Sequence, residues 1–307
     1  MPLVDEHKPW EERTKSVPPH AYFMVSAVFH YLGPAFAVLL FARVEVLGVA
    51  WLRIASAALV FAVWRKPWRA WNDFSSETRR TVIAWGCVLA VMNSCFYISI
   101  DRLPLSTVAA IEFIGPIGLA VVGVRSRRNA LALFLAGAGV NALTDIRLVG
   151  EPLGFAFAFA NAALFTLYIV LGHRTAQRGA GAGINALGLS MLIAAVVAAP
   201  IGVWSGGGAL LDPVALAAGA GVGISSSVIP YVSDQLALSR LPRATYALFV
   251  SLLPATATVI GVIVLEQVPT PQELVGVSLV VAGVAVHQDR EAADAPELPS
   301  STAAHCR

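Results

Sequence analysis

Long runs of apolar residues recur along this chain, and they constrain its fold more than any other feature. A bilayer core of about 30 Å is crossed by a helix of roughly 20 apolar residues. Of the 307 residues, 57% are hydrophobic and only 13% are charged, whereas about 25% of the residues in an average soluble domain are charged. The pattern therefore predicts an all-α integral membrane protein.

Ten apolar runs of suitable length are bounded by charged residues, proline or glycine clusters. They cover residues 20–41, 45–64, 81–100, 105–124, 129–145, 153–172, 184–204, 213–238, 244–265 and 271–287. We expect ten transmembrane helices, a cytoplasmic N-terminal segment at 1–19 and a disordered cytoplasmic tail at 288–307. The mixed charges of the first segment differ from those of a cleaved signal, so the first hydrophobic helix is expected to stay as an anchor.

The positions of the basic residues orient this arrangement. With the N-terminus in the cytoplasm, 17 of the 21 Lys and Arg residues fall in inner segments, three (Arg43, Arg102 and Arg147) fall in outer loops, and Arg53 lies within a helix. Basic residues favour the cytoplasmic side, and one missed helix early in the chain would reverse every later loop. The bias predicts that both termini are cytoplasmic.

The two halves of the chain repeat one sequence pattern at an offset of 138 residues. Arg102-Leu103-Pro104 aligns with Arg240-Leu241-Pro242, and Pro116 aligns with Pro254. Because each repeat has five helices, an odd number, the shared turn lies outside in one half and inside in the other. Inverted repeats of this kind are typical of transporters that work by alternating access.

Several polar residues lie inside the apolar runs, where a charge costs at least about 2.5 kcal/mol on insertion scales. Arg53 and Glu112 each lie about eight positions from the predicted outer face, near a depth of 12 Å. Asn161 lies at a similar depth, Asn93 is slightly shallower and His30 is near mid-helix. They predict a polar layer for substrate or protons, although a structural ion pair, amide contacts between helices and a packed histidine are the alternatives.

Prolines within the helices suggest places where the bundle bends. Pro34, Pro116, Pro230 and Pro254 each remove a backbone hydrogen bond, which produces either a gating hinge or only a fixed kink. Pro116 and Pro254, which align between the halves, are the candidate hinges. The Gly219–Ser227 stretch lacks the lysine and the preceding strand of a phosphate loop, so close helix packing explains it better.

The remaining composition excludes several classes of protein. Three cysteines support neither a disulfide framework nor a metal cluster, and a net charge of +2 shows no nucleic-acid footprint. No His, Asp and Glu cluster has catalytic or ligand spacing. We therefore expect no catalytic residues, no metal, no cofactor and no enzymatic activity.

Local motifs in the first half resemble those of a known family. The chain is similar to EamA-type drug/metabolite transporters, particularly to the threonine/homoserine exporter branch, through Leu52-Arg53-Ile54, Met92-Asn93, Phe96-Tyr97-Ile98-Ser99-Ile100 and Glu112-Phe113-Ile114-Gly115-Pro116. The resemblance implies two EamA repeats, at 20–145 and 153–287, around a central cavity. Many relatives have a Glu where this chain has Leu253, and a Gly-Glu pair where it has Glu266-Gln267.

The resemblance implies a secondary exporter of the bacterial cytoplasmic membrane that moves amino acids or related metabolites by proton-coupled alternating access. Arg53, Asn93, Glu112 and Pro116 match the pattern of the branch. The expected partners are a small-molecule substrate, protons and membrane lipid, for a monomer or homodimer. An exporter of drugs or lipophilic metabolites is the alternative, which Phe155, Phe157, Phe159 and Phe165 keep open, and a non-transporting scaffold is more remote.

Overall fold

Helices make up all the regular structure in the part of the chain that the computed structural model describes, which is residues 18–115, 117–118, 126–144, 151–176, 180–238 and 253–286. Each predicted apolar run overlaps one of these helices. They are α1 (Pro19–Leu40), α2 (Val46–Arg65), α3 (Ser76–Arg102), α4 (Leu105–Glu112), α5 (Arg127–Thr144), α6 (Pro152–Ala176), α7 (Ala180–Gly206), α8 (213–238), α9 (Leu253–Leu265) and α10 (Pro271–Val286).

Six helical segments are long and apolar enough to cross a membrane. They are Ala21–Leu40, Val46–Arg65, Ser76–Arg102, Pro152–Gly172, Gly183–Leu211 and Pro213–Ser233, while Leu253–Leu265 and Pro271–Val286 are apolar but shorter. Exposed Leu, Val, Ile and Phe side chains cover the outside of the bundle. In water such a surface would aggregate, whereas lipid matches it. The protein is therefore a multi-pass membrane protein.

Proline and short polar side chains define where several helices begin. Asp212 precedes Pro213 and accepts a hydrogen bond from the N–H two residues later at 2.9 Å. Before α10, Glu273 accepts the N–H of Thr270 at 2.8 Å while Thr270 accepts the N–H of Glu273 at 3.2 Å. This reciprocal arrangement is a capping box around Pro271. The buried carboxylate of Glu273 thus has a structural role at a helix end.

Loops gather at two opposite ends of the bundle, which we call the Arg102 face and the Arg65 face. At the Arg102 face, Arg102 lies 3.9 Å from Glu151 and Ser205 donates to Glu45 at 3.1 Å. At the Arg65 face, Arg65 donates to Asn185 at 3.3 Å. The helices α2 and α7 therefore run in opposite directions between the two faces.

Helix contacts follow the same scheme in the two halves. α3 packs on α6 and α7, while α8 packs on α1 and α2; α4 contacts α6, while α9 contacts α1. If each helix is replaced by the helix five positions away in the order α1 to α10, each contact becomes its counterpart. The α3–α6 contact becomes α8–α1, α3–α7 becomes α8–α2, and α4–α6 becomes α9–α1. The pairs α2–α7, α4–α9 and α5–α10 are also in contact, and the same exchange leaves them unchanged.

Small residues bring several of these helices together. A Cβ atom on Gly139 of α5 would lie 2.6 Å from the carbonyl oxygen of Gly276 on α10, which is closer than real Cβ contacts. Gly33 of α1 faces Ser226 of α8 with equally little space. Such positions let backbones approach in lipid, where the hydrophobic effect does not drive helix association. The glycine and serine run of α8 does serve close packing, since Gly219 and Gly223 both face α2.

Two apolar cores lie one above the other in the bundle. The first includes Tyr31, Leu52, Tyr97, Ala162 and Val222, and the second includes Ile54, Met92 and Leu89, with Leu164 and Val228 packed against it. Along α2, α3, α6 and α8 the chain therefore passes from one core to the other within a few residues. The polar side chains at or beside these passages are Arg53, Asn93, Asn161, Ser226 and Ser227.

Candidate functional site

A polar centre between the two cores brings together side chains from six helices. Arg53 of α2 is its cation and is 7% exposed. Its Nε donates to the hydroxyl oxygen of Ser227 at 3.0 Å, and one terminal nitrogen donates to the carbonyl oxygen of Ser226 at 3.1 Å. The guanidinium carbon also lies 5.6 Å from the ring centre of Tyr97 on α3. Arg53 is thereby bound to α8, a helix of the second half.

The structure of α8 explains why it can accept these hydrogen bonds. Pro230 has no N–H, so it cannot bond to the carbonyl four residues earlier, which is that of Ser226. At this point the helix widens into a π-helical turn, Ile224–Val228, in which the N–H of Ile229 reaches the carbonyl of Ile224. Turns of this kind often occur at functional sites. The freed Ser226 carbonyl accepts Arg53 instead.

Glu112 supplies the acidic side chain of the centre and is 5% exposed. Asn161 of α6 donates from Nδ2 to Glu112 Oε1 at 3.1 Å. α4 ends at Glu112, four residues before Pro116, whose missing N–H interrupts the helix there. The carboxylate therefore lies at a helix break and is oriented by a neighbouring helix.

Arg53 and Glu112 interact electrostatically without forming a direct ion pair. Each is within electrostatic range of the other, yet the ion pair found among the described residues joins Arg102 and Glu151 instead. The alternative of a structural Arg53–Glu112 ion pair therefore does not fit this conformation. Each side chain is held by a different helix, and both remain available to a third group.

Several buried polar atoms around this centre have no hydrogen-bond partner among the described residues. They include Asn161 Oδ1, Tyr31 Oη and His30 Nδ1. Tyr31 is within electrostatic range of Glu112, and His30 is within range of Arg53. Leaving a buried polar atom unpaired costs roughly 1–3 kcal/mol. Several such atoms around one centre indicate a site that a ligand completes.

Asn93 lies in the layer but does not join the centre in this conformation. Its Nδ2 donates to the carbonyl oxygen of Leu89, one turn earlier on the same helix, at 2.8 Å. The amide therefore neither links two helices nor contacts Arg53. Tyr97, one turn further along α3, is the residue of that helix that reaches Arg53.

The proline hinges remain predictions. Pro254 is buried within α9, and its carbonyl accepts the hydroxyl of Thr258 at 3.0 Å. Pro116 lies outside the described residues. Beside it, Gly115, three residues after the end of α4, fits against Ala162 and Thr166 of α6 with no room for a side chain, so the chain before Pro116 is packed tightly on α6.

Aromatic rings form a layer next to the centre, on its Arg65-face side. Tyr168 of α6 lies 5.4 Å from Trp85 of α3 and 6.4 Å from Tyr231 of α8, between ring centres, and it stacks on Phe165. Tyr231 is in turn within electrostatic range of Tyr97. The rings therefore extend the site from Arg53 toward the Arg65 face.

Among the described residues, no group of three His, Cys, Asp or Glu side chains is arranged to hold a metal ion, and Cys87 and Cys95 form no disulfide. The site instead combines a guanidinium, a carboxylate, an amide and phenols. Such groups bind a small polar molecule through hydrogen bonds and charge.

Comparison with known proteins identifies the family of the chain. The EamA-like transporter family matches residues 152–287. The threonine/homoserine exporter RhtA of Escherichia coli K12 is 34% identical over 254 residues, which cover 81% of this chain and 84% of that protein. The chain belongs to the EamA-like transporter family. Within this family it lies in the RhtA branch, since RhtA of Salmonella typhimurium LT2 is also 32% identical over 256 residues, again 81% and 84% of the two chains.

A solved crystal structure shares the fold of this EamA-family protein. It superposes with a TM-score of 0.58 at 17% identity, over 87% of this chain and 96% of the other. Together with the apolar helices, the relatives define a multi-pass exporter of the bacterial inner membrane that acts on a small molecule. The named relatives are exporters rather than enzymes.

Sequence reasoning identified most of this centre but missed part of it. Arg53, Glu112, Asn161 and His30 stand out as polar residues in apolar runs, and the structure brings them together. Ser226 and Ser227 do not stand out, because serine is common in membrane helices and usually bonds to its own helix. The sequence signal for these partners is Pro230, because proline has no N–H to bond to the carbonyl four residues earlier.

Proposed function

We propose that this chain exports small zwitterionic amino acids, of the threonine or homoserine type, by proton-coupled alternating access. The observation that carries the proposal is the buried centre in which Arg53 and Glu112 are held on separate helices beside unpaired polar atoms. A zwitterion offers a carboxylate to one and an ammonium or hydroxyl to the other. The RhtA exporters that resemble this chain are named for threonine and homoserine.

The proposed architecture has ten spans in two inverted repeats, 20–145 and 153–287, with both termini in the cytoplasm. The matching helix contacts of the two halves support the repeats. The alternation of loops between the Arg102 face and the Arg65 face supports the antiparallel order. The distribution of Lys and Arg then assigns the Arg65 face to the cytoplasm.

In the proposed mechanism Arg53 binds the carboxylate of the substrate, because a guanidinium matches a carboxylate in geometry and charge. Asn161 donates from its Nδ2 to Glu112, and the Oδ1 of Asn161 stays free to accept a hydrogen bond. Glu112 takes up or releases a proton as the site changes its access from one face to the other. Asn93 and His30 line the same polar layer, and Pro116 and Pro254 act as hinges.

The proton role of Glu112 is tested by Glu112→Gln, which removes the charge and the titratable proton but keeps the size and one acceptor oxygen. In proteoliposomes with an imposed pH gradient, we expect gradient-driven threonine transport to fall by at least about tenfold. Glu77→Gln, an exposed carboxylate in the first turn of α3, is the control and should transport normally. If Glu112→Gln protein transports threonine with an unchanged response to the gradient, Glu112 does not carry the proton.

A second candidate function is export of lipophilic compounds, which the aromatic layer of Trp85, Phe165, Tyr168 and Tyr231 favours. Phe155, by contrast, is buried in the first core, and Phe159 is 44% exposed on the outside of the bundle. A susceptibility panel in a strain without its own exporters separates the two functions. Resistance to lipophilic drugs without any effect on threonine tolerance would favour this second function.

A further inference from the structure

The contact between Arg53 and α8 joins the two halves of the protein at its polar centre. Arg53 belongs to the first half, whereas Ser226 and Ser227 belong to the second. Both hydrogen bonds are buried, at 3.0 and 3.1 Å. Hydrogen bonds to a charged group are roughly twice as strong as those between neutral groups. This contact is therefore strong enough to determine where the guanidinium lies.

The three serines of the π-helical turn differ in what their hydroxyl groups do. Ser225 and Ser226 each donate to the carbonyl of Val222 on their own helix. Ser227 alone among the three directs its hydroxyl oxygen to Arg53. All three are buried, so the difference is one of direction rather than of surroundings.

Close packing on α1 and on α2 fixes the position of the π-helical turn. Gly33 of α1 packs on Ser226, and Gly223 packs against Ser56 and the carbonyl of Arg53 on α2. A side chain at either glycine would push α8 away from its neighbours. The Ser226 carbonyl, which Pro230 leaves without its usual partner, is therefore presented to Arg53 at a defined place.

We propose that Ser227 and the Ser226 carbonyl freed by Pro230 are positioning groups for Arg53, which hold its guanidinium ready for the carboxylate of the substrate. This inference rests on the proposed function, in which Arg53 binds that carboxylate. The second half thus supplies the orientation of a binding residue that belongs to the first half. A preorganised guanidinium binds more tightly because less freedom is lost on binding.

The test compares Ser227→Ala, Pro230→Ala and Ser225→Ala in proteoliposomes, with labelled threonine as the probe and Arg53→Gln as reference. Ser227→Ala removes one acceptor of Arg53, and Pro230→Ala restores an N–H that competes for the Ser226 carbonyl. Each should raise the KM for threonine roughly tenfold with Vmax within about twofold, because loss of ground-state binding affects KM. Ser225→Ala, the matched control, should keep both values.

Equal KM values for Ser227→Ala and Ser225→Ala would overturn the role of Ser227, and an unchanged KM for Pro230→Ala would overturn the role of the carbonyl. If Arg53→Gln abolishes transport while Ser227→Ala and Pro230→Ala behave like wild type, the proposed function stands and the positioning fails. If wild-type protein moves no amino acid, the proposed function fails and the positioning falls with it. Amounts of reconstituted protein and thermal midpoints are compared first, so that a misfolded variant is recognised.

Discussion

Individual residues at the polar centre are buried and held by separate partners. Arg53 is bound to α8 and Glu112 is bound to Asn161, so neither neutralises the other by direct contact. A closed buried ion pair would mainly fix the structure, and breaking it would cost several kcal/mol. In the proposed mechanism, a substrate inserts between these two separately held groups.

Glu266 illustrates a residue whose backbone conformation limits stability. Its φ of +55° lies in the left-handed region, which costs a residue with a Cβ roughly 1–2 kcal/mol. We expect Glu266→Gly to raise the free energy of unfolding by about 1 kcal/mol. Glu266→Ala, which removes the same carboxylate but keeps a Cβ, should give no such gain. Denaturation of both variants in the same detergent measures the difference, and equal stabilities would contradict the strain.

The sequence predicts the charged and amide residues of the site but not their partners. Arg53, Glu112 and Asn161 are conspicuous because polar groups are costly in lipid. Their partners depend on helix rotation, which hydropathy does not specify. The alternative of a structural ion pair between Arg53 and Glu112 at equal depth is not found, and the two contact Ser227 and Asn161 instead. Asn93, at a similar depth, bonds to its own helix instead.

At the scale of helices, the lengths of the apolar runs and the polar residues that bound them predict where helices lie along the chain. They do not predict the hydrogen-bonding geometry inside each helix. The predicted run at 213–238 coincides with α8. Hydropathy does not predict the π-helical turn within it, because the widening comes from local hydrogen bonding around Pro230. Similarly, a proline at 116 predicts an interruption in α4, and the helix ends at Glu112.

The contact of α5 with α10 gives a prediction at this scale. Gly139 faces the Gly276 backbone without room for a side chain, whereas nothing lies within 4 Å of a Cβ at Gly137 on the same helix. Gly139→Val should therefore separate the helices and lower the free energy of unfolding by about 1–3 kcal/mol. Gly137→Val should leave it nearly unchanged. Thermal denaturation in detergent compares them, and equal midpoints would show that this packing is wrong.

At the scale of the whole molecule, the polar centre lies between the two apolar cores, and the two halves of the chain contribute different parts of it. The first half supplies Arg53, Tyr97 and Glu112, while the second supplies Asn161 and the π-helical turn. The repeated RLP turn and the bias of basic residues predict two inverted halves from sequence. The part played by the π-helical turn could not be foreseen, because it arises from local backbone hydrogen bonding that the sequence repeat does not specify.

Transport of labelled threonine by counterflow tests the central claim most directly, since it requires a binding site that alternates between the two faces but no ion gradient. Proteoliposomes loaded with unlabelled threonine should transiently accumulate labelled threonine with wild-type protein. Arg53→Gln protein, reconstituted in equal amount, should lose most of this accumulation. Absence of counterflow for wild-type protein with threonine and homoserine, or full counterflow with Arg53→Gln, would contradict an amino-acid exporter built around this polar centre.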